Sequence, residues 1–139
     1  RYRRGIALVM IDVDTFKEWN DTYGHQVGDR MLRDVSKVIR DCARQGDLIG
    51  RYGGDEFIVA LPGCNAEQAM AFAERVRAQV ETLGAIMHDS CYEFSLSVSV
   101  GVAAATSHPC EVDALVFRAD HALYCAKEKG RNRVHADHH

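Results

Sequence analysis

No stretch of this 139-residue chain is apolar for long enough to cross a bilayer. The longest clean run is "IALVMI", residues 6–11, where a spanning helix needs about 20 such residues, and no secretory signal is visible. Positive charge is not in excess either. Seventeen basic residues face 20 acidic ones, for a net charge of −3, which excludes a chain held to nucleic acid or to a membrane surface by bulk charge. The five cysteines, Cys42, Cys64, Cys91, Cys110 and Cys125, lack metal-ligand or redox spacing and read as reduced thiols in a cytoplasmic protein. His88, His108, His121 and His135 show no ligand spacing and read as ordinary surface or core residues. His25 reads as structural, at a junction between helices. There is no internal repeat, low-complexity segment or domain linker.

What is present describes an ordinary globular domain. Hydrophobic residues make up 47% and charged residues 27%, and the length suits one domain with a core large enough to need no staple. The domain is assigned to residues 1–135. Residues 136–139, ending in His138 and His139, are set aside as a tail or tag remnant.

Periodicity divides the chain into nine elements. "GIALVMIDVD" (5–14) reads as a buried strand ending in acids. "TFKEWNDTYG" (15–24) reads as a short helix with Thr15 and Glu18 at capping-box spacing and Gly24 as its stop. Residues 27–44 carry Val27, Met31, Val35, Val38, Ile39 and Cys42 on one helical face. "DLIGRY" (47–52) and "EFIVALP" (56–62) read as strands joined through Gly53-Gly54, a pair that suggests a primed turn with positive φ. Residues 65–84 follow as a helix capped by Asn65 with Gln68. Residues 92–105 alternate bulky and small side chains as a strand does. A helix over 111–130 and a short strand over 132–136 complete the order β-α-α-β-β-α-β-α-β. That order predicts an α+β fold with helices packed on a mostly antiparallel five-stranded sheet.

The acids raise a chemical question. Asp12 ends the first strand, and Asp55 and Glu56 stand where the glycine pair meets a later one. If those strands are neighbours, Asp12 and Asp55 converge at the sheet edge as hard oxygen ligands suited to Mg²⁺. Gly53 and Gly54 would then let a bulky ligand approach the backbone. Each piece alone has a plainer explanation: Asp14 reads as a cap for the helix that follows, and Asp55 could be only a turn residue.

The joint pattern decides. "DVDTFKEWNDTYGHQVGD" (12–29), "RYGGDEF" (51–57), "SVSVGVA" (97–103) and "AKEKGRN" (126–132) together resemble the diguanylate cyclase (GGDEF) family, in that family's order and spacing over nearly the whole chain. The stretch D-x-L-T-G-L-x-N-R that usually precedes the first strand is missing, and trimming is the expected reason. The resemblance implies a fold like that of nucleotidyl cyclases and the polymerase palm. It also implies condensation of two GTP into cyclic di-3′,5′-GMP with release of two pyrophosphates, on a homodimer controlled by an upstream sensor domain, with no nucleic-acid or membrane contact from this segment. The competing reading is a catalytically idle receptor for GTP or cyclic di-GMP.

Residue roles carried over by resemblance are these. Asp12, Asp55 and the carbonyl of Val13 bind two Mg²⁺ ions, with Mn²⁺ as a substitute. Asp55 is also the base for the attacking hydroxyl, where many relatives have Glu, and Glu56 has a secondary role near the metals. Lys127 and Arg131 grip the triphosphate, while Phe16 and Lys17, at a helix N-terminus, offer further donors to it. Thr15 stands where many relatives carry His or an aromatic. Asn20 and Asp29 read the base, and a carboxylate that accepts from guanine N1–H and N2–H₂ would meet a lone pair on adenine. "RQGD" (44–47) matches the R-x-x-D product-inhibition site, with Arg44 and Asp47 as contacts and Arg75 as a secondary arginine.

Overall fold

The computed structural model describes residues 5–88, 96–105 and 111–137. Strand β1 (Ile6–Val13) leads into helices α1 (Phe16–Tyr23) and α2 (His25–Cys42). Strands β2 (Leu48–Arg51) and β3 (Glu56–Pro62) follow, then α3 (Ala66–His88), β4 (Val98–Ala105), α4 (Val112–Glu128) and β5 (Val134–Ala136). The order and type of all nine elements agree with the sequence reading.

The five strands form one sheet in the order β2-β3-β1-β4-β5. Every pairing is antiparallel except β4–β5, which is parallel. Strand β1 lies in the centre and is buried on both faces, which is why its sequence is a continuous apolar run rather than an alternation. Its odd-numbered residues Ala7, Val9, Ile11 and Val13 join the larger core, with Trp19 of α1, Met31, Leu32, Val35 and Ile39 of α2, and Phe72 and Val76 of α3. Leu8 and Met10 face the other way, onto Leu115, Ala119 and Leu123 of α4. Three helices thus cover one face and α4 lies on the other.

The glycines explain how closely these layers meet. A Cβ on Gly101 would lie 2.2 Å from Leu123 N and 2.3 Å from Ala119 O, so α4 rests directly on the β4 backbone. Helix α3 runs beyond the segment expected over 65–84. The helix continues to His88, and Gly84 is small because the backbone of Leu96 packs against it, 2.6 Å from where a Cβ would stand. The first four residues of the strand predicted over 92–105 lie outside the described residues, as do Cys91 and Cys110. Cys42, Cys64 and Cys125 are free thiols.

Two capping expectations part ways. At α3 the box forms: Gln68 N donates to Asn65 Oδ1 at 2.8 Å, and Asn65 N donates to Gln68 Oε1 at 2.9 Å. At α1 it does not. Thr15 is left-handed (φ 55°) and makes no side-chain cap; its hydroxyl donates to the Asp14 carbonyl at 2.6 Å instead. Asp14 is not a helix cap either, because its carboxylate is engaged elsewhere. Nor do Gly53 and Gly54 adopt the positive φ of a primed turn. Residues 52–55 form a wider connection, closed by the Tyr52 amide donating to the Glu56 carbonyl at 2.9 Å.

Candidate active site

The end of β1 gathers the acids. In the β1–β3 ladder Asp12 pairs with Glu56, and the Val13 amide donates to the Asp55 carbonyl at 3.1 Å. The sheet thereby brings positions 12, 55 and 56 to one edge. Asp12 is 6% exposed. One of its oxygens receives Lys127 Nζ from α4, and the other, Oδ1, is buried with no hydrogen-bond partner among the described residues. Burial, reinforced by the neighbouring Asp55, raises the Asp12 carboxyl to about 7 against the pull of Lys127. Burial also raises Glu56, with Asp120 and Asp55 adding to it and Lys127 opposing. On Lys127 burial works the other way, but Asp12, Glu56 and Asp55 outweigh it and the ammonium ends above its ordinary value. One cation thus serves three acids.

This donor set fits a hard divalent ion. It offers an unsatisfied buried carboxylate oxygen, a second carboxylate beside it and a charge imbalance toward negative. Among the described residues no three His, Cys, Asp or Glu side chains form a metal cage. An ion here would rest on Asp12, Asp55 and a carbonyl, and would complete its shell with water or ligand oxygens, as Mg²⁺ commonly does.

Gly53 and Gly54 flank this edge and are exposed. A Cβ on Gly54 would meet nothing within 4 Å, and one on Gly53 only Glu56, at 3.7 Å. Neither backbone conformation nor internal crowding demands glycine at these positions; the space left open does not serve the chain's own packing.

At the α1–α2 junction Asn20 is half-buried, and its Oδ1 has no hydrogen-bond partner among the described residues. Phe16 packs against the larger core nearby, and Lys17 is exposed in the same first turn. Gly28 is the residue that sequence reasoning missed here. A Cβ on it would stand 1.8 Å from Asn20 Oδ1, so only glycine leaves Asn20 in place. Its signal was present in "GHQVGD", as a glycine inside a helix where alanine would propagate better. The next residue, Asp29, is exposed and lines an open groove with Arg33, Arg40 and Arg51.

On the α4 side, Lys127 lies in the last turn of the helix and Arg131 follows in an exposed turn. Asp14 reaches this turn. Its buried carboxylate accepts from Ser97 Oγ (2.7 Å), Ser99 Oγ (2.6 Å) and the Asn132 amide (3.0 Å).

A separate cavity of about 240 Å³ brings together Arg44, Asp47 and Arg75, with Cys64, Gln68 and Phe72. Asp47 Oδ2 accepts from the Arg44 amide at 2.7 Å. Arg44 Nη2 donates to Asp47 Oδ1 (3.3 Å), the Pro62 carbonyl (3.3 Å) and Cys64 Sγ (3.1 Å). Arg75 donates to the Cys42 carbonyl at 3.4 Å and lies over the Phe72 ring. Among the described residues no helix is long and apolar enough to cross a membrane.

A family model described as "Diguanylate cyclase, GGDEF domain" matches residues 1–133. Diguanylate cyclase A of Treponema denticola is 46% identical over 129 residues, 93% of this chain and 34% of that protein. The chain spans about a third or less of the length of such curated relatives. Among solved structures, the active GGEEF domain of a diguanylate cyclase from Vibrio cholerae superposes with a TM-score of 0.89 at 30% identity, covering 100% of this chain and 86% of that one. The GGDEF domain of DgcB from Caulobacter crescentus, in complex with c-di-GMP, gives 0.85 at 36% identity, over 96% and 78%.

Proposed function

Because the chain belongs to the diguanylate cyclase GGDEF family, we propose that it condenses two GTP molecules into cyclic di-3′,5′-GMP, with cyclic di-GMP as a feedback inhibitor. The observation that carries this reading is the meeting of Asp12, Asp55 and Lys127 at one sheet edge, with a buried Asp12 oxygen unsatisfied among the described residues.

Asp12, Asp55 and the Val13 carbonyl would hold Mg²⁺, two ions per site, or Mn²⁺ in its place. Bound there, the metal lowers the cost of negative charge on the attacking and leaving oxygens of an in-line phosphoryl transfer. The chain's own residues do the rest. Lys127, a point charge, and Arg131, a two-pronged donor, hold the triphosphate. The first turn of α1, around Phe16 and Lys17, adds amides that the absent capping box leaves unused. Asn20 Oδ1 accepts from guanine, and Asp29 accepts along the same edge. Gly53 and Gly54 leave room for the nucleotide against the backbone. Asp55 takes the proton of the 3′-hydroxyl as its oxygen bonds to the α-phosphorus of the other GTP and the bond to pyrophosphate breaks; Glu56 supports the charge balance beside it.

Each domain holds one GTP, so the reaction needs two copies face to face, brought together by a sensor domain elsewhere in the protein. Arg44, Asp47 and Arg75 bind cyclic di-GMP in their separate cavity. The retention of Asp12, Asp55, Glu56, Lys127 and Arg131 favours an enzyme over an idle receptor.

Incubation with GTP and Mg²⁺, at high protein concentration or with forced dimerisation, followed by chromatography, tests this. Cyclic di-GMP and pyrophosphate are expected in a 1:2 ratio. Binding of GTP or cyclic di-GMP without any turnover in the forced dimer would replace the enzyme with a receptor.

A further inference from the structure

Asp14 stands two residues beyond Asp12, yet its carboxylate is held by hydroxyls and a backbone amide and not by Lys127. It is 4% exposed and accepts three hydrogen bonds, from the hydroxyls of Ser97 and Ser99 and from the Asn132 amide. Its own amide donates to the Ser97 carbonyl at 2.9 Å. Asn132 is held from the other side as well. Its Oδ1 accepts from Arg77 Nη1 at 3.1 Å, and its Nδ2 donates to Glu81 Oε2 at 2.6 Å, both on α3. Arg77 is in turn paired with Glu74.

The residues fixed this way are the ones least able to hold themselves. Arg131 and Asn132 are consecutive non-glycine residues in the left-handed region, at φ 63° and 47°, after Gly130 at 125°. Such backbone persists only where the surroundings hold it, and it clusters at ligand clamps. Asn suits position 132, because it tolerates this conformation and offers both a donor and an acceptor. The neighbouring β4–β5 pairing does not depend on the Asp14 bond, since the Val100 amide already donates to the Arg133 carbonyl at 2.9 Å.

We propose that Asp14 and Asn132 are positioning residues: their bond ties the end of the β1 metal strand to the turn after α4 and sets the reach of Arg131 to a bound pyrophosphate group. The inference deepens the proposed function and rests on its assignment of Arg131 to the triphosphate. Asp14 supplies the anchor and Asn132 transmits it, while α3, through Arg77 and Glu81, braces the turn. Neither residue touches the phosphate.

The test uses Asp14→Asn and Asn132→Gly in the full chain. The first replaces an acceptor of the Asn132 amide with a group that also donates. The second keeps the left-handed backbone accessible and removes only the bonds to α3. Each variant is titrated by NMR with Mg²⁺–pyrophosphate and, separately, with guanosine, and amide exchange is followed at Asn132. Pyrophosphate affinity should fall about tenfold or more in both variants, with guanosine affinity within about twofold of wild type. The Asn132 amide should exchange faster in Asp14→Asn. Unchanged pyrophosphate affinity in a folded variant overturns the inference. So does a parallel loss for both ligands, which would mean a role in folding alone. Asn132→Gly keeps the amide that donates to Asp14 and so tests the brace from α3; if Asp14→Asn does not fold, Ser97→Ala, which loosens the Asp14 carboxylate but keeps its charge, decides by the same comparison. A wild-type chain that binds no pyrophosphate overturns the proposed function and this inference together, a failure visible before any variant is made.

Discussion

Lys127 lies against one oxygen of the Asp12 carboxylate, and the other oxygen of that carboxylate is buried without a hydrogen-bond partner among the described residues. An unsatisfied buried polar group costs about 1–3 kcal/mol, so the chain tolerates strain at this point that a ligand could relieve. Asp12 titrates at about 7, against an ordinary value of 3.8. The folded state therefore binds more protons than the unfolded state between those values, and stability falls as pH rises through that window. The share due to Asp12 is read as the difference between wild type and Asp12→Asn in denaturant melts in EDTA. It should be a loss on the order of 2–4 kcal/mol from pH 4 to pH 7, opposite in sign to the contribution of Glu74, whose carboxyl Arg77 holds low. Asp12→Asn should flatten that slope, and millimolar Mg²⁺ should recover stability at the upper end.

Gly54→Ala separates a glycine kept for the fold from one kept for a ligand. No atom of the described residues lies within 4 Å of the new Cβ, and the backbone is not left-handed. Stability should change by no more than about 0.5 kcal/mol, while GTP affinity falls. A thermal melt beside a GTP titration checks both.

Gly28→Ala should act in the opposite sense on the guanine side. Alanine gains up to about 1 kcal/mol in helix propensity, but its methyl collides with Asn20 Oδ1, and such overpacking costs about 1–3 kcal/mol. Displacement of Asn20 should win. The expected outcome is a loss of about tenfold in GTP affinity and a narrower preference over ATP, read by competition binding.

Arg44→Ala should weaken cyclic di-GMP binding by about tenfold or more and leave turnover without product present intact. The Arg44 side chain is 58% exposed, so its ion pair with Asp47 is worth about 1 kcal/mol or less to the fold. Calorimetry with cyclic di-GMP checks the first point and a melt the second.

Much of this was legible in the sequence because local and global signals agree. The apolar run of β1, the helical face of α2 and the Asn65–Gln68 box each have one reading, and the structure realises all of them. The failures fall where a long-range partner outbids a local one. Asp14 was read as a cap because the helix begins two residues later; its acceptors were claimed by Ser97, Ser99 and Asn132, more than 80 residues away. The helix expected over 65–84 runs on to His88, and the small size of Gly84 answers to the backbone of Leu96. The convergence of Asp12 and Asp55 could be expected from the motifs, but the resting contact of Lys127 with Asp12 could not, since it depends on how α4 lies on the sheet.

The proposed chemistry needs Asp12 and Asp55 to hold the divalent ions that face the nucleotide. A crystal structure with Mn²⁺ and a non-hydrolysable GTP analogue tests this most directly through anomalous scattering. Mn²⁺ is expected on both carboxylates and on phosphate oxygens, with Lys127 moved from Asp12 onto the phosphates. Manganese bound away from these two side chains, with Lys127 still on Asp12, would contradict it.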